Sequence, residues 1–172
     1  MLPAPCDSCL DDSSSRRYSD KTQIGIISDA CHDECFVAIT GHGTSLYNVA
    51  LQKLPTSWLT DGSVGVGFSN RVTTTGVNEA VAKILDAGGV FHRNASGALS
   101  LAYVADGRLL GYTEEHMNAW DCLAGQLLVA EAGGGVEVQS ADAMIAHGGR
   151  VVVGTPGVFE KLIAISDQAY TP

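Results

Sequence analysis

Long apolar runs and positive charge are what this sequence has least of. No run approaches the roughly 20 apolar residues that a helix needs to cross a bilayer, and "VVVG" at 151–154 is representative of the longest. The opening stretch "MLPAPCDSCLDDSSSRRYS" has no basic segment leading into an apolar one. No secretory signal is read there, and a cytoplasmic protein without membrane contact is expected.

Ten Lys and Arg stand against 19 Asp and Glu, for a formal net charge of -9, and the basic residues are scattered. A nucleic-acid backbone is held by clustered Lys and Arg, so a nucleic-acid polymer is not an expected partner. A small anionic molecule remains compatible, because a divalent cation can stand between carboxylates and a phosphate. Walker A and G-x-G-x-x-G spacings are also missing.

Cysteines number five, an odd count in a chain with no secretory signal, so reduced thiols are the expectation. One spacing admits another reading. Cys6-x2-Cys9 is followed by Cys31-x3-Cys35, with His32 between the second pair, and such ligands can hold structural zinc. Against it, the first pair lies in a Ser/Asp-rich stretch, and the second runs directly into a strand-like segment.

What is present is a chain of 172 residues with 45% hydrophobic content, enough for one domain with a sizeable core. Residues 1–22 read as a polar, serine-rich leader without periodicity. From residue 23 to 172 the pattern is ordered. "QIGIIS" and "CFVAIT" read as two adjacent strands, and "GHGTSLYN" as a glycine turn into a brief strand. "SVGVGFS" is a strand whose alternate glycines admit something close to that face. The helix "TTTGVNEAVAKILDAGG" follows, with Val77, Val81, Ile84 and Leu85 on one face.

The order then alternates: strand "VFHR", helix "SGALSLAYVADG", strand "LLGYTE", helix "AWDCLAGQLLVAEAGG", strands "GVEVQ" and "RVVVGT", and a last helix "PGVFEKLIAISDQAY". Alternation of this kind predicts an α/β fold with helices packed on a sheet. Ligands in such folds sit beyond strand ends, at helix N-termini.

Two carboxylates fall at such a junction. Asp121 opens a helix that is apolar nearly all round, where it gains about 0.3–1 kcal/mol from the helix dipole and is also a hard oxygen ligand of the type Mg²⁺ prefers. On spacing alone the first-turn reading has the better claim. Glu114 ends the strand "LLGYTE" and is followed by a four-residue loop from Glu115 to Asn118, which puts both acids on one rim. One could hold metal while the other accepts substrate hydroxyls; both could equally be solvated loop acids. His116 has no identified orienting partner, and Trp120 reads as a core or rim packing residue. Ala95, Ser96 and Gly97 open a helix where free N–H groups suit an anion or a sugar hydroxyl, although a Ser N-cap accounts for the same residues. Gly133-Gly134-Gly135 reads as a helix stop.

Taken together these segments resemble the inositol monophosphatase family of Mg²⁺-dependent, lithium-sensitive phosphatases, over roughly residues 22–168. "NAWDCLAGQLLVAEAGG" looks like the family signature W-D-x-A-x-G-x-x-L-x-x-E-A-G-G, departing from it at Leu123. "RNASGALSLAYVADGRLLGYTE" is similar to the family's R-x-G-S-A-A stretch, with Ala95 for the usual Gly and Gly97 for the usual Ala. The resemblance implies the C-terminal layered α/β part of the family's sugar-phosphatase fold, a mixed sheet with packed helices, truncated at the N-terminus. It implies Mg²⁺ as cofactor, Asp121 as a metal ligand, Glu114 on substrate hydroxyls, and the Ala95-Ser96-Gly97 turn against the substrate ring. It also implies a small phosphorylated substrate and a homodimer.

The family's glutamate-rich motif and D-P-[I/L]-D-G-T are not present intact; the nearest match is "SCLDDSS" at 8–14. Two or three metals need more than one carboxylate. The expected activity is therefore an impaired phosphomonoesterase. The alternatives are a non-catalytic α/β remnant or subunit-pairing module, and a small zinc-stabilised protein using Cys6, Cys9, Cys31 and Cys35.

Overall fold

The computed structural model describes residues 11–18 and 21–170. Two five-stranded sheets, rather than one, organise the chain, so the expected α/β character holds with an extra layer. The first sheet is an antiparallel meander in chain order. It contains β1 (Asp11–Tyr18), β2 (Lys21–Asp29), β3 (Glu34–Ile39), β4 (Gly43–Leu46) and β5 (Val49–Ala50). The second contains β6 (Ser63–Val66), β7 (Val90–His92), β8 (Gly111–Met117), β9 (Gly135–Val136) and β10 (Gly149–Gly154), in the spatial order β7-β6-β8-β10-β9.

Helices α2 (Gly97–Ala105) and α3 (Ala119–Glu131) lie between the sheets, touching β2 on one side and β10 on the other. Helices α1 (Thr74–Asp86) and α5 (Phe159–Ala169) cover the far face of the second sheet, and the short α4 (Ala141–His147) packs on α3. Strand periodicity divides the core accordingly. Val151 and Val153 of β10 join the cluster around α2 and α3, while Val152 joins the one under α1 and α5.

Small residues set the spacing of the inner layer. A Cβ at Gly25 of β2 would lie 2.7 Å from the carbonyl oxygen of Ala124 in α3. A Cβ at Gly125 would run into the Leu101 side chain of α2. The helices that are apolar all round are thus the buried ones, as their composition requires.

Several sequence expectations need correction. Residues 11–18, read as part of a leader, form β1, paired with β2 from Asp11 opposite Asp29 to Tyr18 opposite Lys21. An edge strand that is mostly exposed has no apolar alternation to reveal it. Of the "SCLDDSS" match, Ser8 to Leu10 lie outside the described residues. Strand β8 continues to Met117, so Glu114 lies within it and no loop separates it from Met117. On α1 the buried residues are Gly76, Ala80 and Ile84, while Leu85 is exposed. Helix α4 was not anticipated, and helix α5 begins at Phe159, three residues after Pro156.

Candidate active site

Strands β7, β6 and β8 are mutually parallel, with Gly65 opposite both His92 and Tyr112. Their C-terminal ends therefore deliver three chain segments to one rim: 67–71 after β6, 93–97 after β7, and 118–121 after β8. Helix N-termini of α2 and α3 stand on the same rim, the arrangement in which α/β folds place ligands. A cavity of about 290 Å³ opens there, lined by Gly67, Arg71, Arg93, Ser96, Glu114 and Asp121 among others.

Its floor is a buried pair. Glu114 is 8% exposed and Tyr112 3%, and the Tyr112 hydroxyl donates a short hydrogen bond to Oε2 of Glu114. Alternation would send Tyr112 and Glu114 to the same face of β8, which is what brings them together. Burial raises the Glu114 carboxyl above the ordinary range; the Tyr112 bond opposes that rise and the Asp121 charge adds to it. Burial also pushes the Tyr112 phenol well up, with the Glu114 charge beside it adding to the effect.

Glycine makes room for this pair. A Cβ at Gly67 would collide with both the Tyr112 hydroxyl and the Glu114 carboxylate, and one at Gly97 would press on the Met117 methyl group. The alternate glycines noted in "SVGVG" thus mark a real close approach, by Tyr112 at Gly65 and by the pair at Gly67.

Asp121 sits in the first turn of α3, behind the N-cap Asn118. Its backbone N–H donates to the Asn118 carbonyl at 3.1 Å, and Asn118 Nδ2 reaches its Oδ2 at 3.4 Å. The sequence posed a first-turn acid and a ligand as alternatives; position satisfies the first and leaves the carboxylate lining the cavity for the second. Trp120 is 64% exposed, a rim residue rather than a core one. His116 Nε2 bonds the His147 carbonyl at 3.0 Å.

Ser96 is the N-cap of α2. Its hydroxyl accepts the Leu99 N–H at 3.0 Å, and its own N–H donates to Asn94 Oδ1 at 3.3 Å. The Ser96 hydroxyl thus has one acceptor site committed to the cap, and the turn also brings backbone to the cavity. The first-turn amides of Gly97 and Ala98 are its donors, since no preceding turn exists to accept them.

Sequence reasoning found Glu114, Asp121 and the 95–97 turn, which the structure gathers in one cavity. It gave no role to Tyr112, Gly67, Arg71 or Arg93, although Gly67 had a signal in the alternate glycines and Arg93 and Tyr112 lie within the "RNASGALSLAYVADGRLLGYTE" stretch. Two of the four ligands of the zinc alternative, Cys6 and Cys9, lie outside the described residues. No three His, Cys, Asp or Glu side chains among the described residues converge as a metal cluster. His32 Nδ1 is taken up by Asp29 Oδ2 at 2.7 Å.

A sequence model described as the inositol monophosphatase family matches residues 17–170. The Nus factor SuhB of Escherichia coli (strain K12) is 33% identical over 151 residues, covering 86% of this chain and 56% of the relative. The inositol-1-monophosphatase of Mycobacterium leprae (strain TN) is 35% identical over 127 residues, covering 72% of this chain and 43% of the relative. Among solved structures, the inositol monophosphatase of Anabaena (Nostoc) sp. PCC 7120 superposes with a TM-score of 0.80 at 28% identity, over 91% of this chain and 63% of that one. The chain spans about half the length of the curated relatives it matches, 56% for SuhB. No described helix is long and apolar enough to cross a membrane. The signature around Asp121, the layered fold and these matches agree: the chain belongs to the inositol monophosphatase family.

Proposed function

We propose that this cavity hydrolyses a small phosphate monoester, an inositol phosphate or a related ester, with Mg²⁺. The observation that carries the reading is the convergence of Asp121, Glu114 and the α2 amides on one cavity at a parallel-strand rim.

Mg²⁺ is commonly held by one or two carboxylates, with waters and substrate phosphate completing its shell. Asp121 suits one such ion. A cage for a second is not formed among the described residues. When bound, Mg²⁺ polarises the phosphate and lowers the pKa of water for attack.

The chain's own residues do the rest. Asp121 presents its carboxylate to the cavity from the first turn of α3. Glu114 accepts a substrate hydroxyl on the oxygen that Tyr112 leaves open, and Tyr112 fixes its orientation. The Gly97 and Ala98 amides face the substrate across the cavity. The homodimer and a cytoplasmic location are carried as parts of the same proposal.

The test is Mg²⁺-dependent phosphate release from inositol 1-phosphate and from 3′-phosphoadenosine 5′-phosphate, with Asp121→Asn as control. Release that Asp121→Asn abolishes is expected. No release, or release indifferent to that substitution, overturns the reading.

One observation favours a second reading, a non-catalytic ligand-binding or subunit-pairing module. Asp121 and Glu114 have no third described carboxylate, His or Cys joining them in a metal cluster. A folded protein that binds inositol 1-phosphate without releasing phosphate would decide for it.

A further inference from the structure

The cavity is electrically two-sided. Glu114 and Asp121 come from β8 and the segment after it, whereas Arg71 and Arg93 come from the segments after β6 and β7. Since the strand order is β7-β6-β8, Arg93 leaves the outer strand, Arg71 the middle one and the acids the third, so the rim runs from basic to acidic. One strand spacing, about 5 Å, separates β6 from β8, and two, about 10 Å, separate β7 from β8.

These two arginines differ from others in the molecule. Arg17 is ion-paired with Asp142, Arg108 with Glu34 and Asp106, and Arg150 with Glu137 and Asp167. Arg71 and Arg93 make no ion pair among the described residues. In a chain with 19 acids to 10 bases, an unpaired guanidinium beside a cavity is conspicuous. Nor is either one adrift. The Arg93 guanidinium carbon lies 5.9 Å from the Phe68 ring centroid, within cation–π range. The Arg71 backbone N–H donates to Ser69 Oγ at 3.3 Å in the turn that leaves β6. Arg93 also acts across the cavity, since its charge opposes the upward shift of the Glu114 carboxyl.

We infer that Arg71 and Arg93 form an anion subsite that reads a second negatively charged group on the substrate, a phosphate or a carboxylate. A guanidinium presents a planar fork of donors that matches either group bidentately. The substrate class is then a two-ended anion. One end lies toward Asp121 and the α2 amides, the other on the arginines, with hydroxyls between them toward Glu114. The two-ended substrate rests on the phosphatase reading of the cavity, but the subsite needs no metal and can be measured without one.

The first arm titrates the protein with inorganic phosphate in EDTA and follows backbone amide resonances of residues 67–71 and 93–97. Saturable binding is expected, weakened about tenfold or more by Arg71→Gln or Arg93→Gln and retained in Asp121→Asn. Both arginines are exposed, so the substitutions leave the core intact. No binding, or binding indifferent to both arginine variants, overturns the subsite whether or not the protein hydrolyses anything.

The second arm, in Mg²⁺, compares glucose 6-phosphate, glucose 1,6-bisphosphate and 6-phosphogluconate. Tighter binding of both two-ended ligands, by about tenfold and lost in the arginine variants, means that either group is read. A gain for the bisphosphate alone assigns the subsite to phosphate, and a gain for the sugar acid alone to carboxylate. Equal affinity for all three overturns the two-ended substrate. Absence of phosphate release in the same samples would count against the hydrolytic reading only.

Discussion

The Tyr112 hydroxyl donates to Oε2 of Glu114 within a pocket that only glycine at position 67 leaves open. Two consequences follow for Glu114. Its orientation is fixed by a buried partner, and its charge is held where water cannot fully solvate it. Its carboxyl is raised by burial, and Asp121 nearby raises it further.

That shift has a sign in stability. Between the ordinary carboxylate value and the raised one, the folded chain binds more protons than the unfolded chain, so stability falls as pH rises through that window. Glu114→Gln cannot ionise, yet keeps an oxygen for Tyr112 to bond. The substituted protein is expected to melt a few degrees higher than the parent near neutral pH, with the gain vanishing at about pH 4. Melting curves by circular dichroism across this range check it. A variant that is less stable at neutral pH than at about pH 4, each relative to the parent, would contradict the assigned direction.

Gly67→Ala puts a methyl group where the Tyr112 hydroxyl and Glu114 carboxylate meet. Both side chains are buried, so neither swings aside without disturbing the core. Overpacking of this kind costs about 1–3 kcal/mol. Denaturant unfolding should register that loss, and affinity for inositol 1-phosphate should fall with it. Full stability in Gly67→Ala would show that the pair has room to move.

Much of this site was legible in the sequence, for a specific reason. The run from Trp120 to Gly134 places Asp121 in the first turn of an apolar helix, and the strand shortly before it carries Glu114, so two local patterns suffice. Tyr112, Arg71 and Arg93 needed more. The two arginines come from segments that meet only because β6, β7 and β8 run parallel, and strand order is not written in periodicity. Tyr112 lies two residues before Glu114 in "LLGYTE", so alternation puts both on one face, but their burial and mutual bond come from how β8 packs. Strand β1 was missed because "DDSSSRRY" sits at a sheet edge, where its serines and arginines meet water. Helix α4 did carry a signal: Ser140 caps it through the Ala143 N–H. It is only seven residues long, too short for its period to stand out.

Ser96 separates a structural role from a chemical one. Its hydroxyl already accepts the Leu99 N–H and is buried. Ser96→Ala should therefore cost about 1 kcal/mol of stability through the lost cap, and Ser96→Thr should recover most of it. Substrate affinity, measured at a temperature where both variants are folded, should change less than about threefold if the hydroxyl serves the cap alone. A large affinity loss in Ser96→Ala that Ser96→Thr also shows would point to steric contact with the turn instead.

Glu131 is the signature's glutamate, and the structure places it away from the cavity. Its Oε1 accepts the Gly41 N–H and its Oε2 the Gly43 N–H, each at 2.9 Å. Both glycines have positive φ, 77° and 84°, so the turn between β3 and β4 exposes its amides in a conformation that other residues resist. The carboxylate thereby pins that turn to the C-terminal end of α3, next to the bond from Thr44 Oγ1 to the Leu128 carbonyl. A charged acceptor lost from two amides in a partly exposed turn costs about 1.5–3 kcal/mol. Glu131→Ala is expected to lose that much in denaturant unfolding while leaving phosphate release per folded molecule unchanged. Glu131→Gln, which keeps one carbonyl oxygen, should fall between the two. Reduced turnover in a fully folded Glu131→Ala protein would instead assign this residue a part in the chemistry at the other end of α3.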